Sequence, residues 1–166
     1  GIMTTDTVPK QCAVEFEIGG HSVKLGGICK GAGMICPDMA TMLAFVTTDA
    51  AIAPGLLADT LGWCVERSFN CISVDGCMST NDTVAVLANG ESGAPELLSE
   101  NDEDFDTFRS ALLHVTRSLA QQIVRDGEGS TEFMSITVTG AESFAQARQI
   151  GRTIANYDLV KTMLYG

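Results

Sequence analysis

The sequence predicts an α/β domain, a layered sandwich in which helices pack on a mixed sheet. Short stretches in which apolar and polar residues alternate are typical of strands, and longer stretches with an apolar residue every three or four positions are typical of helices. Both kinds occur along the 166 residues, of which 45% are apolar and 19% charged. That length supports one domain with a real core, but not comfortably two.

Strand patterns begin near the start of the chain. Residues 13–26 alternate around Gly19 and Gly20, which predicts a β-hairpin. Residues 41–47 form a short apolar run, which predicts a strand that is buried on both faces. Three further strands are predicted over residues 71–74, 84–87 and 134–138.

Helical spacing of apolar residues predicts three helices, over residues 57–69, 105–123 and 144–154. Their apolar stripes are expected to pack in the core rather than to line a cofactor site. The segment 159–166 has apolar residues but neither a cap nor a polar tail, so we expect a chain that is cut within a domain.

Charge and cysteine content argue against several function classes. The formal net charge of −11 is unsuited to nucleic-acid binding, which needs clustered Lys and Arg. No apolar stretch approaches the roughly 18–20 residues of a membrane span. The six cysteines lack the CxxC spacing and the histidine partners of a zinc site. We therefore predict no metal site and a reducing, cytoplasmic location.

Common catalytic motifs are absent, including GxSxG, HExxH and the glycine-rich phosphate loops. The stretch over residues 30–43, KGAGMICPDMATML, is different, because glycines and Pro37 precede Ala40, Thr41 and an apolar strand. From the residues alone, this stretch is either a shaped loop that enters a sheet or a catalytic loop, and the structural interpretation is favoured.

Residues 30–43 resemble the self-cleavage site of the ornithine acetyltransferase family, whose members are also called bifunctional glutamate N-acetyltransferases. The family pattern KG-x-GM-x-x-P-x-x-ATML is met at every fixed position. Four further blocks match in order, at residues 2–7, 75–76, 79–83 and 159–162. The resemblance covers essentially the whole chain. It implies an N-terminal-nucleophile-like fold, of which residues 1–166 are the central part.

The resemblance implies that a precursor cuts itself between Ala40 and Thr41. Residues 1–40 would then end the α chain, and residues 41–166 would begin the β chain. The Thr41 hydroxyl can attack the carbonyl before it, and the resulting ester hydrolyses. Cleavage leaves Thr41 with a free α-amine, whose reference pKa of about 7.7–8.0 lets it act as the general base for its own hydroxyl.

The implied activity is transfer of acetyl from N2-acetylornithine to glutamate through an acetyl-Thr41 intermediate, in arginine biosynthesis. The resemblance implies no cofactor, and some family members also accept acetyl-CoA as donor. The implied partners are the small-molecule substrates and the remaining segments of the same enzyme, assembled as an α/β hetero-oligomer. Neither a nucleic acid nor a membrane is expected as a partner.

Three other positions match substrate-contacting residues of the family. Lys30 would face the substrate α-carboxylate, Thr4 would hydrogen-bond the substrate, and Glu128 would neutralise the ornithine ammonium or transfer a proton. The structural alternatives are a solvated loop lysine, a turn threonine and an exposed loop acid. The family's oxyanion hole and C-terminal substrate residues have no counterpart in this sequence, so the chain alone is expected to be inactive.

Two other functions remain open. A related N-terminal-nucleophile amidase or aminopeptidase shares self-cleavage before a hydroxyl residue, but Lys30 and Glu128 suit a zwitterionic amino-acid substrate. A non-catalytic domain or fragment of the same fold would bind a small amino acid or a partner chain. Substitution of Thr41 would favour that alternative, and Thr41 is present.

Overall fold

A computed structural model of the chain describes residues 1–33, 42–76 and 81–165, with the backbone alone described at residue 165. The strands of these residues are β1 (Lys10–Ile18), β2 (His21–Lys30), β3 (Leu43–Thr48) and β4 (Thr83–Ala88). Their helices are α1 (Pro54–Glu66), α2 (Phe105–Arg125), α3 (Phe144–Ala155) and α4 (Asp158–Tyr165). The predicted α/β class is confirmed.

The strands form one mixed sheet in the order β1-β2-β3-β4. β1 and β2 are an antiparallel hairpin whose tip is Gly19-Gly20, with φ angles of 56° and 77°. Both angles lie in the left-handed region that glycine adopts without penalty, so the tip is a tight turn. β3 runs antiparallel to β2, and β4 runs parallel to β3. The predicted hairpin is confirmed, and it is longer at both ends than residues 13–26.

Helix α2 covers one face of the sheet and forms most of the core with it. The six residues of its predicted apolar stripe are each at most 1% exposed, namely Phe105, Phe108, Leu112, Val115, Leu119 and Ile123. A Cβ atom added at Gly27 would lie 3.0 Å from Leu119 Cδ1, so this glycine lets α2 approach β2 closely. The prediction of the longest helix as a core element is confirmed.

The prediction that β3 is buried on both faces is wrong. Exposure alternates along the strand. Ala44 and Val46 are fully buried, whereas Phe45 between them is 36% exposed. Phe45 pairs with Ile28 of β2, which is 46% exposed. Because α2 covers only the other face, Ile28 and Phe45 lie on a side of the sheet that the described residues leave partly exposed.

Two predicted strands are also wrong. Residues 69–71 form a short 3-10 turn, and residues 72–74 and 134–138 form no strand although all of them are described. The apolar alternation of these segments supplies a face, but a strand also needs a neighbouring backbone to pair with. The predicted strand over residues 84–87 is confirmed as β4.

The first and third predicted helices differ from expectation in length and in burial. α1 ends at Glu66, three residues before Phe69, which lies in the 3-10 turn. α3 forms where predicted, but none of its residues is buried, and Phe144 is 40% exposed. Arg148 of α3 forms a salt bridge with Glu66. The α3 stripe is therefore not part of the core of this chain, contrary to prediction.

Candidate active site

The candidate residues lie at one end of the sheet, where β2 ends and β3 and β4 begin. Lys30 pairs with Leu43, and Leu43 pairs with Thr83, so three strand ends lie side by side. Thr41 and Ala40, the predicted nucleophile and cleavage site, lie outside the described residues. The described chain resumes at Met42, the residue after Thr41.

Lys30 is the last residue of β2 and is only 6% exposed. The preceding residue, Cys29, faces α2, since its Sγ lies 3.7 Å from the carbonyl oxygen of Leu119. Side chains alternate along a strand, so Lys30 points to the opposite face. No salt bridge to Lys30 occurs within the described parts of the chain. Buried charges are normally paired, so Lys30 is suited to bind an anionic group and is not a solvated loop lysine.

Asp82, immediately before β4, contacts the backbone next to the predicted nucleophile. Its Oδ1 accepts a hydrogen bond of 2.6 Å from the Met42 N–H. Its Oδ2 is buried and has no hydrogen-bond partner among the residues that the structure describes. Burial raises the pKa of Asp82, and the Met42 N–H and the charge of Lys30 offset only part of this effect. A carboxylate therefore lies at the start of β3.

Glu128 follows α2 and lies against the loop that leaves β2. Its N–H donates a hydrogen bond of 2.7 Å to the carbonyl oxygen of Ala32. A Cβ atom added at Gly33 would lie 2.9 Å from Glu128 Oε2, so the glycine leaves room for this carboxylate. The side chain of Glu128 is exposed and available to solvent or to a ligand.

A single carboxylate joins the segment of Thr4 to the end of β2. Asp6 Oδ2 accepts a hydrogen bond of 3.1 Å from the Thr4 N–H, and Asp6 Oδ1 accepts one of 2.7 Å from the Gly31 N–H. Gly31 has a φ of 148°, a conformation that side chains rarely allow. The side chain of Thr4 is exposed. Asp6 thus ties Thr4 to the residue that follows Lys30.

Asp6, Lys10 and Asp126 form a buried ion cluster behind this corner. Lys10 Nζ lies 2.5 Å from Asp6 Oδ1 and 2.5 Å from Asp126 Oδ2. The side chains of Lys10 and Asp6 are fully buried, and that of Asp126 is 7% exposed. Burial disfavours the charged carboxylate, but hydrogen bonds from Lys10, Gly31 and Thr4 outweigh it and lower the pKa of Asp6 to about 2. The pKa of Asp126 is lowered and that of Lys10 is raised by the same pairing, against burial. All three groups are therefore charged at neutral pH.

Sequence reasoning missed this cluster and Asp82. A signal for Lys10 exists, because it occupies an inward position in phase with Val14 and Phe16 of β1, where a charge requires a buried partner. Asp82 stands directly before an apolar strand, which is a weaker signal.

Other candidate chemistries find less support in the described residues. Within these ranges, no group of three or more His, Cys, Asp or Glu side chains is placed to hold a metal ion. Burial raises the pKa of Cys29 and of Cys64 to about 12, so neither thiol is a nucleophile near neutral pH. No helix in the described ranges is long and apolar enough to cross a membrane.

The sequence model of the ArgJ family matches residues 1–166, the entire chain. The chain belongs to the ArgJ family. The resemblance found in residues 30–43 is thereby confirmed over the full sequence. A protein of Caulobacter vibrioides, named arginine biosynthesis bifunctional protein ArgJ, is 54% identical over 99% of this chain and 41% of its own length. A protein of Methanocaldococcus jannaschii, named glutamate N-acetyltransferase, is 52% identical over 99% of this chain and 40% of its own length.

The fold of the chain is also that of a solved ArgJ structure. The crystal structure of the arginine biosynthesis bifunctional protein ArgJ from Bacillus halodurans is 43% identical, with a TM-score of 0.71 over 74% of this chain and 57% of that chain. The chain spans about 40% of the length of the two curated relatives described above. The remaining segments of an ArgJ protein therefore have no counterpart here.

Proposed function

We propose that this chain is the nucleophile-bearing part of a self-cleaving acetyltransferase, which moves acetyl from N2-acetylornithine to glutamate. Cleavage between Ala40 and Thr41 would separate residues 1–40 from residues 41–166. The observation that carries the proposal, within the ArgJ family, is the buried Lys30, which lies beside the strand that follows Thr41 and has no salt bridge to any other residue that the structure describes. The remaining segments of the full-length protein complete the enzyme.

The nucleophile would be the Thr41 hydroxyl, activated by the α-amine that cleavage releases. The amine takes the hydroxyl proton while the oxygen attacks the acetyl carbonyl carbon. The tetrahedral intermediate collapses as the amide bond breaks and ornithine leaves with a proton. Glutamate then attacks the acetyl ester through its own amine and regenerates Thr41. The step needs neither a metal nor an organic cofactor.

Asp82 supports this chemistry by its position. Three covalent bonds of about 1.3–1.5 Å each separate the Met42 nitrogen from the Thr41 nitrogen. Asp82 Oδ1 lies 2.6 Å from the Met42 nitrogen, so this carboxylate is near the amine that cleavage would release. A carboxylate there would favour the protonated state that the amine enters during attack.

Lys30 would bind the substrate α-carboxylate as a fixed cation, since a ligand carboxylate would complete its charge pairing. Thr4 would hydrogen-bond the substrate, and Glu128 would neutralise the ornithine ammonium or transfer a proton. An α/β hetero-oligomer is the proposed assembly, and the proposed location is cytoplasmic. Acetyl-CoA, which some family members accept, is a second donor to assay. A related amidase would use the same nucleophile, and acetyl transfer to glutamate distinguishes the two functions.

Self-cleavage tests the nucleophile directly. We expect the intact mass of the wild-type full-length protein to split between Ala40 and Thr41, and that of Thr41→Ala to stay whole with no transfer activity. Thr41→Ser should retain part of both activities, because the hydroxyl survives. Normal cleavage of Thr41→Ala would refute the mechanism.

Substrate use tests Lys30. In the cleaved full-length protein, Lys30→Met should raise KM for the amino-acid substrate by about 10- to 100-fold, the cost of one hydrogen bond to a charged group. Lys24→Met removes an exposed lysine from the same strand and should leave KM unchanged. Equal KM values for the two variants would remove Lys30 from the proposed site.

A further inference from the structure

The buried ion cluster of Asp6, Lys10 and Asp126 takes no part in the proposed reaction. Its side chains are almost completely buried, so they do not touch a substrate in the site. Each carboxylate nevertheless binds a segment that carries one of the proposed substrate residues. These contacts suggest that the cluster orients the substrate residues in addition to stabilising the fold.

The first link runs through Asp6. Its two oxygens accept the backbone N–H groups of Thr4 and Gly31, at 3.1 and 2.7 Å. Gly31 follows Lys30 directly and has a φ of 148°, a backbone conformation that side chains rarely allow. The carboxylate therefore fixes the direction of the chain at Lys30 and the place of the Thr4 segment together.

The second link runs through Asp126, the residue that follows α2. Asp126 accepts hydrogen bonds from Lys10 and from the N–H and hydroxyl of Thr7. Glu128 is two residues further along, and its own N–H donates to Ala32, just after Gly31. The contacts close a ring that runs from Gly31 through the two carboxylates and Lys10 to Glu128, and back to Ala32.

Stability alone does not explain why this cluster is ionic. Replacing a buried ion pair by apolar side chains of similar volume is often neutral or stabilising, because desolvation offsets the attraction. Apolar side chains could not, however, accept the N–H groups of Thr4 and Gly31. The carboxylate of Asp6 thus fixes the Thr4 segment and satisfies the Gly31 N–H, a buried backbone donor that apolar side chains would leave without this partner.

We propose that Asp6, Lys10 and Asp126 are positioning residues for substrate binding, which hold the segments of Thr4, Lys30 and Glu128 in one arrangement. This inference rests on the proposed function of Lys30. The cluster acts on the substrate through these residues and not on the acetyl group. Its loss should therefore raise KM far more than it lowers kcat.

The test compares two substitutions of the same kind in the cleaved full-length enzyme. Asp6→Asn weakens the cluster without changing the size of the side chain. Asp104→Asn is the matched control, because Asp104 Oδ2 also accepts a glycine N–H, that of Gly19, at the far end of the hairpin. We expect Asp6→Asn to raise KM for the amino-acid substrate about tenfold, with kcat within about twofold. Asp104→Asn should change neither value.

A double variant separates positioning from general loss of structure. If Asp6 acts partly through Lys30, Asp6→Asn should raise KM by a smaller factor in the Lys30→Met background than in the wild type. Effects that multiply in full would mean that Asp6 does not act through Lys30, and this result would overturn the inference. An unchanged KM for folded Asp6→Asn, with a raised KM for Lys30→Met, would also overturn it while leaving the proposed function intact. An unchanged KM for Lys30→Met would instead refute the proposed function of Lys30.

A milder variant covers the case in which Asp6→Asn does not fold. Thr7→Val removes only the hydroxyl that donates to Asp126 and keeps the backbone hydrogen bond. We expect a rise in KM of about two- to threefold with kcat unchanged, since one of the hydrogen bonds that hold Asp126 is lost and the others remain. An unchanged KM in folded Thr7→Val, together with an unfolded Asp6→Asn, would leave the cluster a purely structural role and overturn the inference.

Discussion

The two ends of the β1–β2 hairpin use the same contact in different surroundings. At the tip, Gly19 has a φ of 56° and donates its N–H to Asp104 Oδ2 at 2.7 Å. At the open end, Gly31 has a φ of 148° and donates its N–H to Asp6 Oδ1, also at 2.7 Å. The difference is that Asp6 is buried with Lys10, while Asp104 remains partly exposed with no cation paired to it among the described residues.

This difference decides how far the effect of each contact extends. An exposed carboxylate keeps part of its hydration, so losing its bond costs little and affects only the turn. A buried carboxylate needs all of its partners, and its loss is felt by every group that it binds. The tip is therefore a local turn, whereas the open end behaves as one unit.

The largest effect is expected from removing the cation of the buried cluster. Lys10→Met leaves Asp6 and Asp126 facing each other without compensation, which should lower the free energy of unfolding by about 3–5 kcal/mol. Asp104→Asn should lower it by less than about 1 kcal/mol. Urea unfolding of the full-length protein measures both. Similar losses for the two variants would contradict the distinction between the two ends.

An intermediate effect is expected from acid. The pKa of Asp6 falls from 3.8 to about 2 on folding, so its contribution is fully present above about pH 4 and is lost as the pH falls towards 2. The amount is about 2–3 kcal/mol at 1.4 kcal/mol for each pKa unit. Between pH 5 and pH 2, the free energy of unfolding should fall less with decreasing pH in Asp6→Asn than in the wild type. A curve for Asp6→Asn that runs parallel to that of the wild type would contradict the prediction.

The smallest effect is expected at the tip itself. Gly20 has a φ of 77°, and a Cβ atom added there meets nothing within 4 Å, so Gly20→Ala carries only backbone strain. The loss should be about 1 kcal/mol, read as a fall of a few degrees in Tm. KM should not change, because the tip is not tied to the substrate residues. A raised KM in Gly20→Ala would show that the two ends are coupled.

The parts of the fold that could be predicted from the sequence are those set by local periodicity. The stripe of α2 and the alternation around Gly19 were predicted because their apolar faces are covered within this chain. The strand over residues 134–138 and the double burial of β3 were wrong, since strand pairing and the covering of a second face depend on distant backbone.

The candidate site divides in the same way. Thr4, Lys30, Thr41 and Glu128 came from motif resemblance, and their roles remain predictions. The buried ion cluster and Asp82 could not be predicted, because their hydrogen-bond partners are distant in sequence. Lys10 and Asp126 are 116 residues apart, Asp6 and Gly31 are 25 apart, and Met42 and Asp82 are 40 apart. Periodicity over a dozen residues carries no information about such pairs.

The buried thiol of Cys29 can report local opening at the open end of the hairpin. Cys29 lies one residue before Lys30, is 2% exposed and has a pKa of about 12, so it is protected from alkylating reagents while the sheet is closed. Cys71 is exposed and free. The lag between modification of Cys71 and of Cys29 would therefore time how often this end of the sheet opens in the native protein.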